Sequence, residues 1–457
     1  MGNCSKCSGN CGSKLILNEK NYIPNRTVDY SKYHVVIVAF SGGKDSIACF
    51  LNLLKTGCPI EKIELWHHDI DADQPFMDWP ITRDYCRAFA AAFGVKIFFS
   101  WKNGGFLGEM LRKNQATASV SFEAPRADGT IEILTAGGES KKFNTRHMFP
   151  QKSADLNERW CSAYLKIDVA AKAIIHQPRF LGKKVLFITG ERAEESVGRA
   201  AYAEKEYHKT DAGSGDASKL IRNKKIQSVL QKLVKLNASE ISLDDFNKNG
   251  KPQARFPGFS AKEKTILSDV ILKEKETISS SDCQKMIVEK QEEFVALSKK
   301  ALASFKKRMQ KAEKGQGLFR KVHAWRPVHK WTTSQVWAII EEFKVNPHTC
   351  YKLGWGRCSC AGCVFGDKDQ WASLKVVLPE VFARILAYEK SFGKTIDSTK
   401  VKGVRRNIEE LAAEGTPYPY ITPEFIKEVA SKTWDQPIIL DTWVRPAGAS
   451  GKLVGPC

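Results

Sequence analysis

The stretch Val35-Val36-Ile37-Val38-Ala39-Phe40-Ser41-Gly42-Gly43-Lys44-Asp45-Ser46 decides how this chain is read. A β-branched apolar run breaks into Ser-Gly-Gly-Lys-Asp-Ser, and Ile47, Phe50, Leu51 and Leu54 follow at helical spacing. That order predicts a buried strand, a tight loop and a helix N-terminus. Two glycines let the backbone curl closely round a ligand, and first-turn N–H groups have no intrahelical partner. Together with the positive end of the helix dipole they make a phosphate site. Lys44 adds a full charge, and Ser41 and Ser46 add hydroxyl donors. A plain strand–turn–helix with a capping serine is the alternative, and Gly-Gly alone would not separate the two; the six-residue string favours the phosphate site.

Outward from the loop, 30–207 reads as a run of βα units. Lys62–Asp69, Val95–Ser100 and Lys184–Gly190 are further strands, with helical patterns over 46–56, 78–93 and 163–176. Alternating strands and helices predict an α/β fold with a parallel sheet covered on both faces. Ligands of such sheets sit beyond the carboxyl ends of the strands. Loop 41–46, segment 67–71, Ser100-Trp101 and Gly190-Glu191-Arg192 all fall there. Segment 104–157 reads as an irregular excursion on the substrate side. Residues 208–320 turn helical and Lys-rich, with 23 Lys and Arg against 14 Asp and Glu over 211–320. They read as an inserted helical region offering a basic face, or as a merely solvated bundle. From 321 to 457 the chain reads as a cysteine-rich region with helices over 333–343, 372–391, 402–413 and 423–432. Residues 1–29 form a polar tail carrying Cys4, Cys7 and Cys11, either part of a metal site or mobile.

With 457 residues the chain can build two or three domains and a substantial core. A formal net charge of +20 points to a polyanionic partner. No apolar run approaches the ~18 residues of a membrane span, and no signal-peptide pattern opens the chain, so a cytoplasmic, membrane-free protein is expected. Thirteen cysteines there suit free thiols or metal ligands better than disulfides. Cys350, Cys358, Cys360 and Cys363 crowd together, and four thiolates suit tetrahedral zinc or a [4Fe–4S] cluster.

The Ser41–Ser46 string resembles the PP-loop of the N-type ATP pyrophosphatases, the adenine nucleotide α-hydrolases; the Walker A spacing is absent. Arg159-x-Cys161-x3-Leu165-Lys166, Gly190-x-Arg192-x-x-Glu195-Ser196 and Cys360-x2-Cys363 sharpen the likeness toward the phosphoadenosine phosphosulfate (PAPS) reductase family. Dnd-type DNA phosphorothioation enzymes are among the relatives of that family. The resemblance implies a Rossmann-like adenine nucleotide α-hydrolase fold and cleavage of ATP between the α and β phosphates, with Mg2+. It implies that Ser41, Gly42, Gly43, Lys44 and Ser46 hold the β,γ-phosphates, that Asp45 positions Mg2+ or caps the helix, and that Arg192 and Arg199 meet phosphate charge. Gly190 would border the nucleotide. Asp69 would contact adenosine, as would His67 or His68 unless they are packed core residues. It also implies cluster ligands at Cys161, Cys350, Cys360 and Cys363, with Cys358 competing for a place and Ser162 standing where reductases have a second cysteine.

Three activities are compatible with these motifs. The first is an ATP pyrophosphatase that adenylylates an acceptor for sulfur transfer to a nucleic acid, DNA or tRNA, with a sulfur-donor protein. Intact Lys44 and Asp45 and the basic surplus favour it. The second is PAPS or adenylyl-sulfate reduction, but the reductase's Glu-Cys-Gly-x-His signature is missing and Cys457 is a weak substitute. The third is a non-catalytic nucleotide- or nucleic-acid-binding component. Trp325, Trp331, Trp337 and Trp355, set among Arg and Lys, are candidates for base stacking or for core packing.

Overall fold

The apolar run forms β1 (Val35–Ala39), and the glycine loop leads into α1 (Lys44–Lys55). In this computed structural model the described residues are 28–153, 155–211, 226–242, 245, 259, 261–267, 277–289, 320–358, 360–397, 400–401 and 404–450. Cys4, Cys7, Cys11, Cys457 and the Lys-rich stretch 299–314 lie outside them.

β2 (Ile63–Asp69), α2 (Thr82–Phe93), β3 (Lys96–Lys102) and α3 (Gly105–Leu111) follow. Segment 104–157, expected to be irregular, then supplies a hairpin, β4 (Val120–Pro125) and β5 (Ile131–Ala136). Its Asp128-Gly129 turn was the signal for it, with the Asp128 carboxylate accepting the Thr130 N–H at 2.9 Å. α4 (Trp160–Ser162) runs through a π-helical stretch (Ala163–Ile167) into α5 (Asp168–Ile175). β6 (Lys184–Ile188), α6 (Val197–Ala200) and β7 (Lys205–Tyr207) complete this half.

Within 208–320, helix α7 (226–235), β8 (Ile241–Ser242), α8 (Ala261–Ile266), β9 (Thr277–Ile278) and helix α9 (280–289) are described. They share a small apolar cluster of their own, built on Val229, Leu230, Leu233 and Ile241. β10 (Lys321–Trp325) and α10 (Thr333–Glu342) come next, the helix closed at its start by a Thr332–Gln335 capping box. The helix expected over 372–391 is two, α11 (Lys368–Val377) and α12 (Pro379–Phe392), because Pro379 cannot continue the first and starts the second. A short strand pair, β11 (Lys400–Val401) and β12 (Val404–Arg405), replaces the start of the helix expected over 402–413. α13 (Ile408–Ala413) and α14 (Pro423–Ala430) close the order.

Eight strands make one sheet in the order β5-β4-β3-β2-β1-β6-β10-β7. β3, β2, β1, β6 and β10 run parallel, and antiparallel pairings add β4 and then β5 at one end and β7 at the other. Both faces of the central strand are covered. Val36 and Val38 join the cluster of α1 residues Ile47, Phe50 and Leu51, whereas Ile37 packs with Val169, Ala173 and Ile174 of α5. The fold is therefore α/β with a mostly parallel mixed sheet, as the strand–helix alternation predicts. The order in which strands are added reverses at β1, which pairs with β2 on one side and β6 on the other. That crevice is where ligands of open α/β sheets bind. Among the described residues no helix is long and apolar enough to cross a membrane.

Candidate functional site

The loop Ser41–Ser46 lies at this reversal. Gly42 has φ of +73°, a conformation side chains rarely adopt, and a Cβ there would sit 3.1 Å from Cys86 Sγ and the Tyr85 ring. Gly43 is the N-cap of α1 and has no side chain to cap it. The Ser46 hydroxyl donates back to the Gly43 carbonyl at 2.8 Å. Lys44 is buried, and its Nζ donates to Asp45 Oδ2 and the Gly356 carbonyl, both at 3.2 Å. Its backbone N–H donates to Tyr351 Oη at 2.8 Å, which also accepts the Cys358 N–H at 3.1 Å. One hydroxyl thus ties the loop to the cysteine segment.

Asp45 is paired through both oxygens. Oδ1 accepts Arg192 Nε at 2.7 Å, and Oδ2 faces Lys44. Burial works against its charge, but Lys44 and Arg192 outweigh it and hold the carboxyl below the usual carboxylate range. Asp45 thus positions two cations, Lys44 and Arg192. Arg192 is fully buried and reaches Glu194 at 2.7 Å, the Trp331 carbonyl at 3.2 Å and Thr333 Oγ1 at 3.2 Å. Gly190 lies so close that a Cβ would meet the Asp45 carbonyl carbon at 2.9 Å. Lys44, Asp45, Gly190 and Arg192 therefore form one packed unit.

A cavity of about 330 Å³ opens beyond the strand ends. Ser41 borders it from the loop, His67 and His68 from β2, and Thr189 from the end of β6. Arg159, Lys166, Arg199 and Arg357 bring positive charge to it, and Arg199 and Arg357 both face Glu195, Arg357 at 3.9 Å. Cys161, Cys358, Cys360 and Cys363 line the same cavity, with Lys166 and Asp78. Burial opposes the Lys166 charge, yet the Cys360 and Cys161 thiols and Asp78 hold it protonated above the ordinary lysine range. Burial pushes the Asp78 carboxyl well up, and Asp71 adds to it. His68 is driven down to about 3, first by burial and then by His67 and Lys166. It is a neutral ring, with Nδ1 2.7 Å from Ser100 Oγ and, among the described residues, no hydrogen-bond partner for its buried Nε2.

Cys350 does not line this cavity. It is fully buried, and its donor atom lies within 4.8 Å of those of His348 and Cys358. The fourth cavity cysteine is thus Cys358, where the resemblance placed Cys350. Asp69 is also outside the lining: Oδ1 accepts the Asp71 and Ala72 N–H groups, and Oδ2 pairs with Arg83 at 3.0 Å, so it shapes the turn after β2. Trp325, Trp337 and Trp355 are buried in the main core, which removes them as base-stacking surfaces. Sequence reasoning passed over His348, Tyr351 and Asp78. The spacing His348-x-Cys350-x7-Cys358 was the signal for the first; nothing local marks the other two.

No protein-family model matches the chain, and no solved structure matches it. Among curated proteins it is similar to an uncharacterized 37.8 kDa protein of Escherichia phage 186, at 29% identity over 69 residues. The match covers 15% of this chain and 21% of that protein, so the two share about a fifth of the relative's length.

Proposed function

We propose that this chain is a PP-loop ATP pyrophosphatase that adenylylates an acceptor, with sulfur transfer to a nucleic acid as the purpose. One observation carries the reading: Ser41 of the phosphate-type loop and four cysteines open onto the same cavity, at the point where the sheet reverses. ATP would lay its β,γ-diphosphate at the start of α1, beside Lys44 and the Ser41 and Ser46 hydroxyls. The acceptor oxygen attacks the α-phosphorus, the α–β bridging bond breaks, and pyrophosphate leaves with the electron pair. Lys44, Arg199 and Arg357 meet the charge that develops on it. Asp45 and Arg192 hold Lys44 in place.

Cys161, Cys360 and Cys363 fit a thiolate-ligated iron–sulfur group as a donor set. Such a group supplies sulfur or redox chemistry when bound. The protein's own contribution is to hold it beside the site of adenylylation, with Lys166 balancing thiolate charge. The acceptor class rests on the net charge of +20, which suits a polyanion.

The test is incubation with ATP and candidate nucleic-acid acceptors, measuring pyrophosphate and AMP. Release is expected to fall by about 10²-fold or more in Lys44→Ala, the scale for removing one preorganised charge-stabilising donor. Undiminished release in that variant would take the loop out of the mechanism.

A further inference from the structure

We propose that His348, Cys350 and Cys358 form a mononuclear zinc-type site, separate from the Cys161–Cys360–Cys363 group, with its fourth coordination position open to the cavity. The three donor atoms already lie within 4.8 Å of one another. Zinc with bonds of about 2.3 Å to sulfur and 2.0 Å to nitrogen needs donors roughly 3.5 Å apart, so closure takes at most about an ångström of movement.

The local chain presets the arrangement. A single turn at Thr349–Tyr351 begins at His348, whose Nδ1 accepts the Cys350 N–H at 3.2 Å. The Trp355 N–H returns to the Cys350 carbonyl at 3.0 Å, and the Cys358 N–H is held by Tyr351 Oη. Two donors are fully buried on one rigid turn, and the third is tied to the same turn.

Beyond the donors stands an orienting chain. His348 Nε2 lies 3.3 Å from Thr82 Oγ1, which donates to Asp78 Oδ1 at 3.3 Å. A histidine that ligates a metal through one nitrogen commonly gives its other N–H to such a partner. Here the chain commits the Nε2–H and leaves the Nδ1 lone pair for the metal, in place of its long contact with the Cys350 amide.

Two sulfurs and an imidazole select zinc-like metals over Mg2+ or Ca2+. Three protein ligands with an open fourth position describe a reactive rather than a closed site. Cys358 is the ligand that borders the cavity, so that position faces the volume shared with Ser41 and takes a water or an incoming thiolate. A Cβ on Gly43 would stand 3.4 Å from Cys358 Cβ, so the metal would adjoin the phosphate loop.

The test is elemental analysis of the full-length chain purified without oxygen. One zinc per chain is expected, lost in both His348→Gln and Cys350→Ser while iron is unchanged, and retained in Cys360→Ser. Retention of zinc in both of the first two variants would overturn the assignment, as would loss of iron in Cys350→Ser from a zinc-free protein. The unaltered chain gives a second readout that does not depend on how the variants fold. Co2+ added to it should produce sulfur-to-cobalt charge-transfer absorption, and ethanethiol should shift the visible bands; no such absorption sinks the site. The metal is counted without ATP, so this result is independent of pyrophosphate release.

Discussion

Tyr351 shows how much one side chain can decide. Its hydroxyl is the acceptor for two backbone donors, from Lys44 and from Cys358, and so joins the phosphate-type loop to the cysteine segment. Tyr351→Phe keeps the ring and removes the acceptor, leaving a buried and a part-buried N–H group unmet. A loss of about 1–3 kcal/mol is expected, read as a lower urea midpoint with an unchanged slope. An unchanged midpoint would mean that the two amides find other acceptors. His348 belongs at this scale too, since one imidazole separates a cluster of buried thiols from a metal-ligand set.

At the scale of elements, the contact that matters is between the end of β6 and the first turn of α1. Gly190 permits it, because a Cβ would lie 2.9 Å from the Asp45 carbonyl carbon and 3.0 Å from its oxygen. Gly190→Ala must therefore push α1's first turn away from Arg192. We expect it to cost about 1–3 kcal/mol in stability and to lower pyrophosphate release further than that destabilisation explains. Gly198→Ala, where the nearest atom is Ser196 Oγ at 3.9 Å, is the control expected to change neither. Equal behaviour of the two variants in both assays would contradict the reading. The element scale is also where the sequence was least informative. The β4–β5 hairpin hid in a polar, Gly- and Thr-rich composition, and two of the four apolar residues of β5, Ile131 and Ile133, face outward. By contrast β1 and β6 announced themselves, because strands buried on both faces must be apolar almost throughout.

For the whole molecule, buried neutral histidines set the response to acid. Burial holds His68 and His323 at about 3 and His208 at about 4, against an ordinary value near 6.5. Folded values below the unfolded one mean that the stability is fully present above about pH 6.5. It is lost as the pH falls from there toward the folded values, because only the unfolded chain takes up these protons. The urea midpoint is therefore expected to drop between pH 7.5 and 5.5, and a flat or rising profile would show that the three rings are protonated in the folded protein.

The sequence by itself determined the strand–loop–helix at 35–55, the α/β alternation and the membership of the cysteine-rich segment. These are properties of neighbouring residues: apolar period, glycine freedom and short spacing. Tertiary structure alone decided which of those residues meet. It put β10 beside β6 across a long stretch of chain and spent both oxygens of Asp45 on Lys44 and Arg192. It gave Asp69 to a turn, and it divided the cysteines between the cavity and a buried group with His348. Pairings of that kind depend on where the sheet reverses and how closely its loops pack, which no local pattern encodes.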